Sequence, residues 1–169
     1  MAATLYLMRH GIAEDGLVDE ARQLTEEGKR RVAQIARGLK AVDVVPDLVL
    51  ASPLVRAQQT AQIAASVLAP KLVVETFAPL AIGVDPEELV PQLAAYRGFR
   101  EILMVGHQPS LGELGSYLLT GQSHLAPLPF KKGSVAAVLV HSMPPRTPGE
   151  LLFFLPPKYA RAMAANVQC

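Results

Sequence analysis

Thr4-Leu5-Tyr6-Leu7-Met8-Arg9-His10-Gly11 is the stretch whose reading decides the fold. Thr4–Met8 reads as a short buried strand. It stops at an arginine–histidine pair, and Gly11 lets the chain turn sharply there. A buried strand ending in polar chemistry points to a parallel sheet that presents a site at the carboxyl ends of its strands. The same pattern recurs downstream. Asp47–Ala51 is a second strand candidate and is followed by Ser52-Pro53-Leu54-Val55-Arg56-Ala57. Ile102–Val105 is another and is followed by Gly106-His107-Gln108-Pro109.

Helix signals fill the intervals. Thr25 is placed to cap a helix whose first turn holds Glu26 and Glu27, at the positive end of its dipole. Val32, Ile35, Ala36 and Leu39 share one face of that helix. Ser52-Pro53 predicts an N-cap with proline at the first helical position. Ala57, Ala61, Ala64 and Leu68 then form a narrow small-residue face. Leu72–Thr76 reads as a third strand. Asp85-Pro86-Glu87-Glu88 starts a helix with Leu89, Leu93 and Tyr96 inward. Pro109 opens a helix with Leu111, Leu114 and Leu118 inward, ending at Gly121. Ser134–Val140 and Leu151–Leu155 are two further strands, and a short helix is expected from Lys158. The alternation predicts an α/β fold, with a mostly parallel sheet between helices. No linker or repeat interrupts it, so residues 1–169 are expected to form a single catalytic domain.

Composition narrows the function. The chain has 169 residues, 50% hydrophobic but only 5% aromatic, with Ala and Leu carrying most of the apolar fraction. Lys and Arg number 16 against 15 Asp and Glu, a net charge of +1. This excludes a charge-driven disordered chain and gives no basic excess for nucleic-acid binding. Mean hydropathy is +0.26. Even so, the most apolar uncharged stretch, residues 114–130, is broken by Gly, Pro and polar residues, and no run approaches the ~20 needed to span a bilayer. The N-terminus lacks a basic leader, and the one cysteine, Cys169, permits no internal disulfide. A cytoplasmic location is expected.

The three strand-end motifs hold residue types that suit one ligand. Arg9 and Arg56 offer planar, bidentate donors for phosphate oxygens. His10 and His107 add a nucleophile or further donors. Every group is neutral or cationic, as a phosphoryl dianion requires. Taken singly, each residue has a plainer reading as a surface charge or a turn. Three such motifs at one end of one sheet do not. His124 and His141 lack supporting partners and are read as exposed or structural.

Leu7-Met8-Arg9-His10-Gly11, Leu24-Thr25-Glu26-Glu27-Gly28, Ser52-Pro53-x-x-Arg56-Ala57-x-Gln59-Thr60-Ala61 and Val105-Gly106-His107-Gln108-Pro109 occur in this order. In these four blocks the chain resembles the histidine phosphatase superfamily over nearly its whole length. It is most similar to the short SixA-type phosphohistidine phosphatases. The resemblance implies a three-layer α/β/α sandwich like that of phosphoglycerate mutase, without a large cap insertion. It implies a phosphatase with His10 as the nucleophile and a covalent phosphohistidine intermediate. Arg9, Arg56 and His107 would bind the phosphoryl oxygens. Gly11 would lie against the substrate, and Arg22, with an acidic residue near Asp19, would stand at the rim. Whether that residue is Asp19 or Glu20 stays open. No metal and no cofactor are implied.

Mutase-like relatives carry a glutamate-bearing segment after the third strand as general acid. Here that segment reads Phe77-Ala78-Pro79-Leu80-Ala81-Ile82-Gly83, without a carboxylate. An imidazole leaves phosphorus more easily than an alkoxide, so this gap favours a P–N bond. The expected substrate is a phosphohistidine on a histidine-phosphotransfer or phosphocarrier protein, unless Glu14, Asp15, Asp19 or Glu20 swings in as an acid. The alternatives are a phosphatase of small phosphoesters or phosphoramidates, and a phosphate-binding module without turnover. A histidine-ligated zinc site is weaker still, since no cluster has metal-ligand spacing.

Overall fold

The computed structural model describes residues 1–165. Cys169 and the end of the expected terminal helix lie outside the described residues. Six strands form one sheet: β1 (Ala3–Arg9), β2 (Leu48–Ala51), β3 (Glu75–Thr76), β4 (Glu101–Gly106), β5 (Val135–Val140) and β6 (Glu150–Leu155). Their order is β3-β2-β4-β1-β5-β6. The first four positions are parallel to their neighbours, and β5 runs antiparallel to both β1 and β6. The expected mostly parallel sheet is therefore present, edged by a hairpin.

Five α-helices cover it: α1 (Glu26–Lys40), α2 (Val55–Leu68), α3 (Pro86–Gln92), α4 (Ser110–Thr120) and α5 (Pro157–Ala165). Alternation along β1 sends Leu5 and Leu7 to one core, shared with Leu89, Leu93, Leu111, Leu114 and Leu118 of the α3 and α4 side. Tyr6 and Met8 go to the other, with Val32, Ile35 and Leu39 of α1, the alanines of α2 and Ala160 of α5. Three layers result, and no large insertion covers the carboxyl ends of the strands.

The small-residue face of α2 is buried at Ala57, Ala61, Ala64 and Leu68, which brings α2 in close beside β2 and β4. Thr25 caps α1 as expected, its Oγ1 accepting from the Gly28 amide at 2.9 Å. Gly28 itself is required by contact, since a Cβ there would collide with the Ile12 carbonyl oxygen. The Leu-Thr-x-x-Gly block is thus a helix start pressed against the turn that follows His10. Asp85 caps α3 through the Glu87 amide, and Gly121 ends α4 in the left-handed region.

Two local expectations are corrected. The third strand is only Glu75–Thr76 and is exposed; Leu72–Val74 forms no ladder with β2, and Leu72 and Val74 pack against the core as side chains instead. Ser52-Pro53 does not begin α2. The helix starts at Val55, after Leu54, and Ser52 is drawn inward to a histidine instead of capping.

Candidate active site

Strand register brings the motifs together. Arg9 of β1 lies opposite Gly106 of β4, and Ala51 of β2 lies opposite Val105. Three neighbouring strands therefore end level, and His10, His107 and Ser52 leave the sheet side by side. Helix α1 follows β1 on one face, whereas α4 follows β4 on the other. The chains leaving these adjacent strands part to opposite sides, the position at which open parallel sheets bind ligands.

His10 and His107 are buried, with ring centroids 5.1 Å apart. The His10 amide donates to the Gly106 carbonyl at 3.0 Å, tying the two motifs together. His10 Nδ1 lies 2.7 Å from the Gly11 carbonyl oxygen. A carbonyl only accepts, so the proton sits on Nδ1 and the Nε2 lone pair is free. Nε2 is approached by the Arg56 Nε–H at 3.4 Å. Burial pushes the His10 pKa down to about 3, against a contrary pull from the Gly11 carbonyl, and His107, Arg56 and Arg9 lower it further. The ring is neutral at ordinary pH, with a nitrogen lone pair facing a guanidinium.

Arg56 is itself buried, with 3% of its surface exposed. Its Nη1 donates to the Asp19 main-chain oxygen at 2.7 Å and its Nη2 to Asp19 Oδ2 at 3.0 Å. Arg22 donates from Nη1 to the other carboxylate oxygen at 3.1 Å and from Nε to the Glu14 carbonyl at 2.6 Å. Of the two carboxylates left open, Asp19 is the one bonded to Arg56. Arg56 and Arg22 hold its carboxyl below the usual range, so it stays ionised and is a poor proton donor. Its contacts are to the two arginines, which makes it a clamp on Arg56.

Arg9 donates from Nη1 to the Phe130 carbonyl at 2.8 Å, while its buried Nε has no partner. Its main chain is bracketed by the turn before β5, with Ser134 O accepting from the Arg9 amide and the Gly133 amide donating to Arg9 O. Gly11 lies flush against α1, where a Cβ would come within 2.6 Å of Val32 Cγ2. Its amide donates to Thr60 Oγ1 at 3.0 Å, and that hydroxyl donates to the Arg56 carbonyl at 2.7 Å. Gln59 Oε1 accepts from the Leu24 amide at 2.7 Å and so ties α2 to the returning end of the first loop. The Gln-Thr pair of the second block therefore holds the two halves of the site in register.

Ser52, Thr60 and the Phe130 carbonyl carry structural roles that residue types alone did not assign. Ser52 could have been found from its place one residue beyond a strand end. Phe130 gives no signal, because a main-chain oxygen does the bonding. Ser52 Oγ lies 2.7 Å from His107 Nε2 and accepts from the Leu54 amide at 3.3 Å. The hydroxyl keeps a second lone pair and its proton, so it can pair with His107 Nε2 in either tautomer of the ring. His107 Nδ1 is buried and without a partner. Burial first, then Arg56, push the His107 pKa down to about 4, so the ring is neutral. Ser52→Ala is expected to lower kcat about 10-fold, the value of one lost orienting hydrogen bond, with Ser52→Thr restoring part of it. Steady-state kinetics of the two variants check this.

No group of three or more His, Cys, Asp or Glu side chains arranged to hold a metal occurs among the described residues. Nor is any described helix long and apolar enough to cross a membrane.

Residues 5–81 match the family model of the histidine phosphatase superfamily, branch 1. An uncharacterized protein of Picosynechococcus is 35% identical over 125 residues, covering 70% of this chain and 74% of the relative. Among solved structures, the protein histidine phosphatase SixA complexed with tungstate superposes with a TM-score of 0.82 at 27% identity, over 92% of this chain and 97% of that one. An Escherichia coli protein described as a putative alpha-ribazole-5'-P phosphatase superposes at 0.74 with 21% identity, over 92% and 97%. A strand-end cluster of two arginines and two histidines on this sheet, together with these matches, places the chain in the histidine phosphatase superfamily. Its fold is that of the phosphoglycerate-mutase-like members.

Proposed function

We propose that this chain is a phosphohistidine phosphatase that acts on a protein-borne phosphoryl group through a covalent intermediate on His10. The observation that carries the reading is the fixed tautomer of His10, whose Nε2 bears the lone pair and faces the Arg56 guanidinium while Nδ1–H is bound to the Gly11 carbonyl. Nε2 attacks phosphorus in line. The substrate's P–N bond breaks as the Nε2–P bond forms, and the departing imidazole takes a proton from water. Arg9, Arg56 and His107 bind the phosphoryl oxygens, their charge and dipoles set in place beforehand. Water then attacks phosphorus, releasing phosphate and restoring neutral His10. Arg22 acts through Asp19, which aims Arg56, and Gly11 lets the main chain lie close to the reacting group.

The preference for phosphohistidine rests on the missing acid. The segment after β3 buries Phe77 and Leu80 and supplies no carboxylate, and Asp19 is held ionised. An ester oxygen leaving without a positioned acid forgoes ~10²–10⁴-fold in rate, whereas imidazole needs less help. Among the described residues no large insertion stands over the strand ends, which leaves room for a bulky protein substrate. Similarity to the SixA structure supports the same reading, and its tungstate is an oxyanion of phosphate-like shape. The ribazole-phosphatase neighbour, at lower identity, keeps small phosphoesters as the alternative. Comparing kcat/KM on a phosphorylated histidine-phosphotransfer domain with that on phosphate monoesters tests the assignment. A preference of at least ~10²-fold for the phosphoprotein is expected, and equal or better turnover of esters overturns it.

A further inference from the structure

Cations gather on one flank of the molecule, away from the histidines. Helices α1 and α5 approach so closely that a Cβ on Gly38 would collide with the Ala160 carbonyl. Along this contact runs a groove of about 710 Å³ lined by Arg30, Arg31, Arg37, Lys158 and Arg161. A hollow of about 120 Å³ shares Arg31, Lys158 and Arg161 with it, adds Lys132, and reaches Gly11 and Gly133. Gly11 follows His10, and the Gly133 amide donates to the Arg9 carbonyl at 3.1 Å. The basic strip is therefore continuous with the backbone that carries the site.

Topology explains the continuity. β6 runs in the direction of β1, since both are antiparallel to β5. Helix α5 therefore begins at the same edge of the sheet as α1, and both run away from the site. No carboxylate lines either hollow among the described residues. Of the six cations, Arg31 alone has an ion pair among the described residues, with Glu27. A chain with 15 acidic residues and a net charge of +1 has ample means to neutralise this flank, and it does not. Like charges held this close repel one another, so the strip stabilises an acidic partner more than the fold.

We propose that the strip is the docking surface for an acidic face of the phosphohistidine-bearing protein. This rests on the phosphoprotein reading given above and adds how such a protein is selected. The near-zero net charge gives no long-range field for a polyanion such as nucleic acid. Contact with the site's own backbone instead places the partner where its phosphoryl group is needed. Rim charges of this kind act on encounter rate and on salt dependence.

The test is the exposed pair Arg37→Glu/Lys158→Glu in the full chain, with Arg37→Gln/Lys158→Gln as the uncharged control. On a phosphorylated, acidic histidine-phosphotransfer domain, kcat/KM is expected to fall at least ~10-fold, mainly through KM, with the Gln pair intermediate. Salt dependence should flatten. On phosphoramidate, a small P–N donor, turnover should stay within about twofold. Equal loss on both substrates would show a structural role and overturn the proposal. So would an unchanged rate on the phosphoprotein, whether or not binding to duplex DNA or anionic vesicles is lost. If the wild-type protein shows no preference for the phosphoprotein over phosphoramidate, the phosphoprotein reading itself fails, which the unmutated chain reveals separately.

Discussion

Replacing His10 with alanine is expected to lower kcat by ~10³-fold or more, on any phosphorylated substrate. Nothing nearby can take over. His107 is the other buried imidazole, but its Nε2 is engaged by Ser52 at 2.7 Å. Brief exposure of the wild-type protein to a ³²P donor should leave an acid-labile, base-stable label, and the alanine variant should take up none. Retention of near-full activity, or an unchanged label at another residue, would remove His10 as nucleophile. The pH profile gives a second reading of the same group. A pKa lowered to about 3 means that the neutral, attacking form persists as pH falls, and is lost only as pH drops through that value. After allowance for ionisation of the substrate, the acid limb of kcat/KM is expected well below pH 6.5, the ordinary imidazole value.

The second large effect is expected at Arg56. Removing a preorganised donor to the transferring phosphoryl group costs ~10²–10³-fold in kcat, so Arg56→Ala should fall in that range. Lysine is not expected to repair it. The guanidinium uses Nη1 and Nη2 to hold Asp19 while Nε faces His10 Nε2, and an ammonium cannot do both from one point. The loss should appear mostly in kcat, with tungstate inhibition weakened in parallel. Arg56→Lys with wild-type kcat would show that charge alone suffices at this position.

The expected strands β1, β2 and β4 and the buried faces of α1, α2 and α4 were legible because periodicity and burial are local properties of the chain. Thr25, Asp85 and Gly121 were legible for a similar reason, since a cap bonds to amides or carbonyls a few residues away. Leu72–Val74 was misread because an apolar, β-branched run suits packing against the core without a ladder as well as it suits a strand. Ser52 was misread because its hydroxyl had two possible fates. Local spacing favoured the helix amides, and a histidine 55 residues away won.

Within the site the division is similar. The residue types of Arg9, His10, Arg56 and His107, and their places at strand ends, were written in the sequence, and with them the family. Tertiary structure decided which carboxylate reaches the site, since the 12–24 loop offers four and only folding brings Asp19 between Arg22 and Arg56. It also decided which nitrogen of His10 carries the proton, because the Gly11 carbonyl that sets the tautomer is placed by backbone geometry. The basic strip likewise depends on α1 and α5, far apart in sequence, packing side by side. Sequence determines which groups the chain possesses and how each segment prefers to fold. The direction of a lone pair, the ionisation of a carboxyl and the meeting of distant charges depend on a few ångströms of approach across the fold.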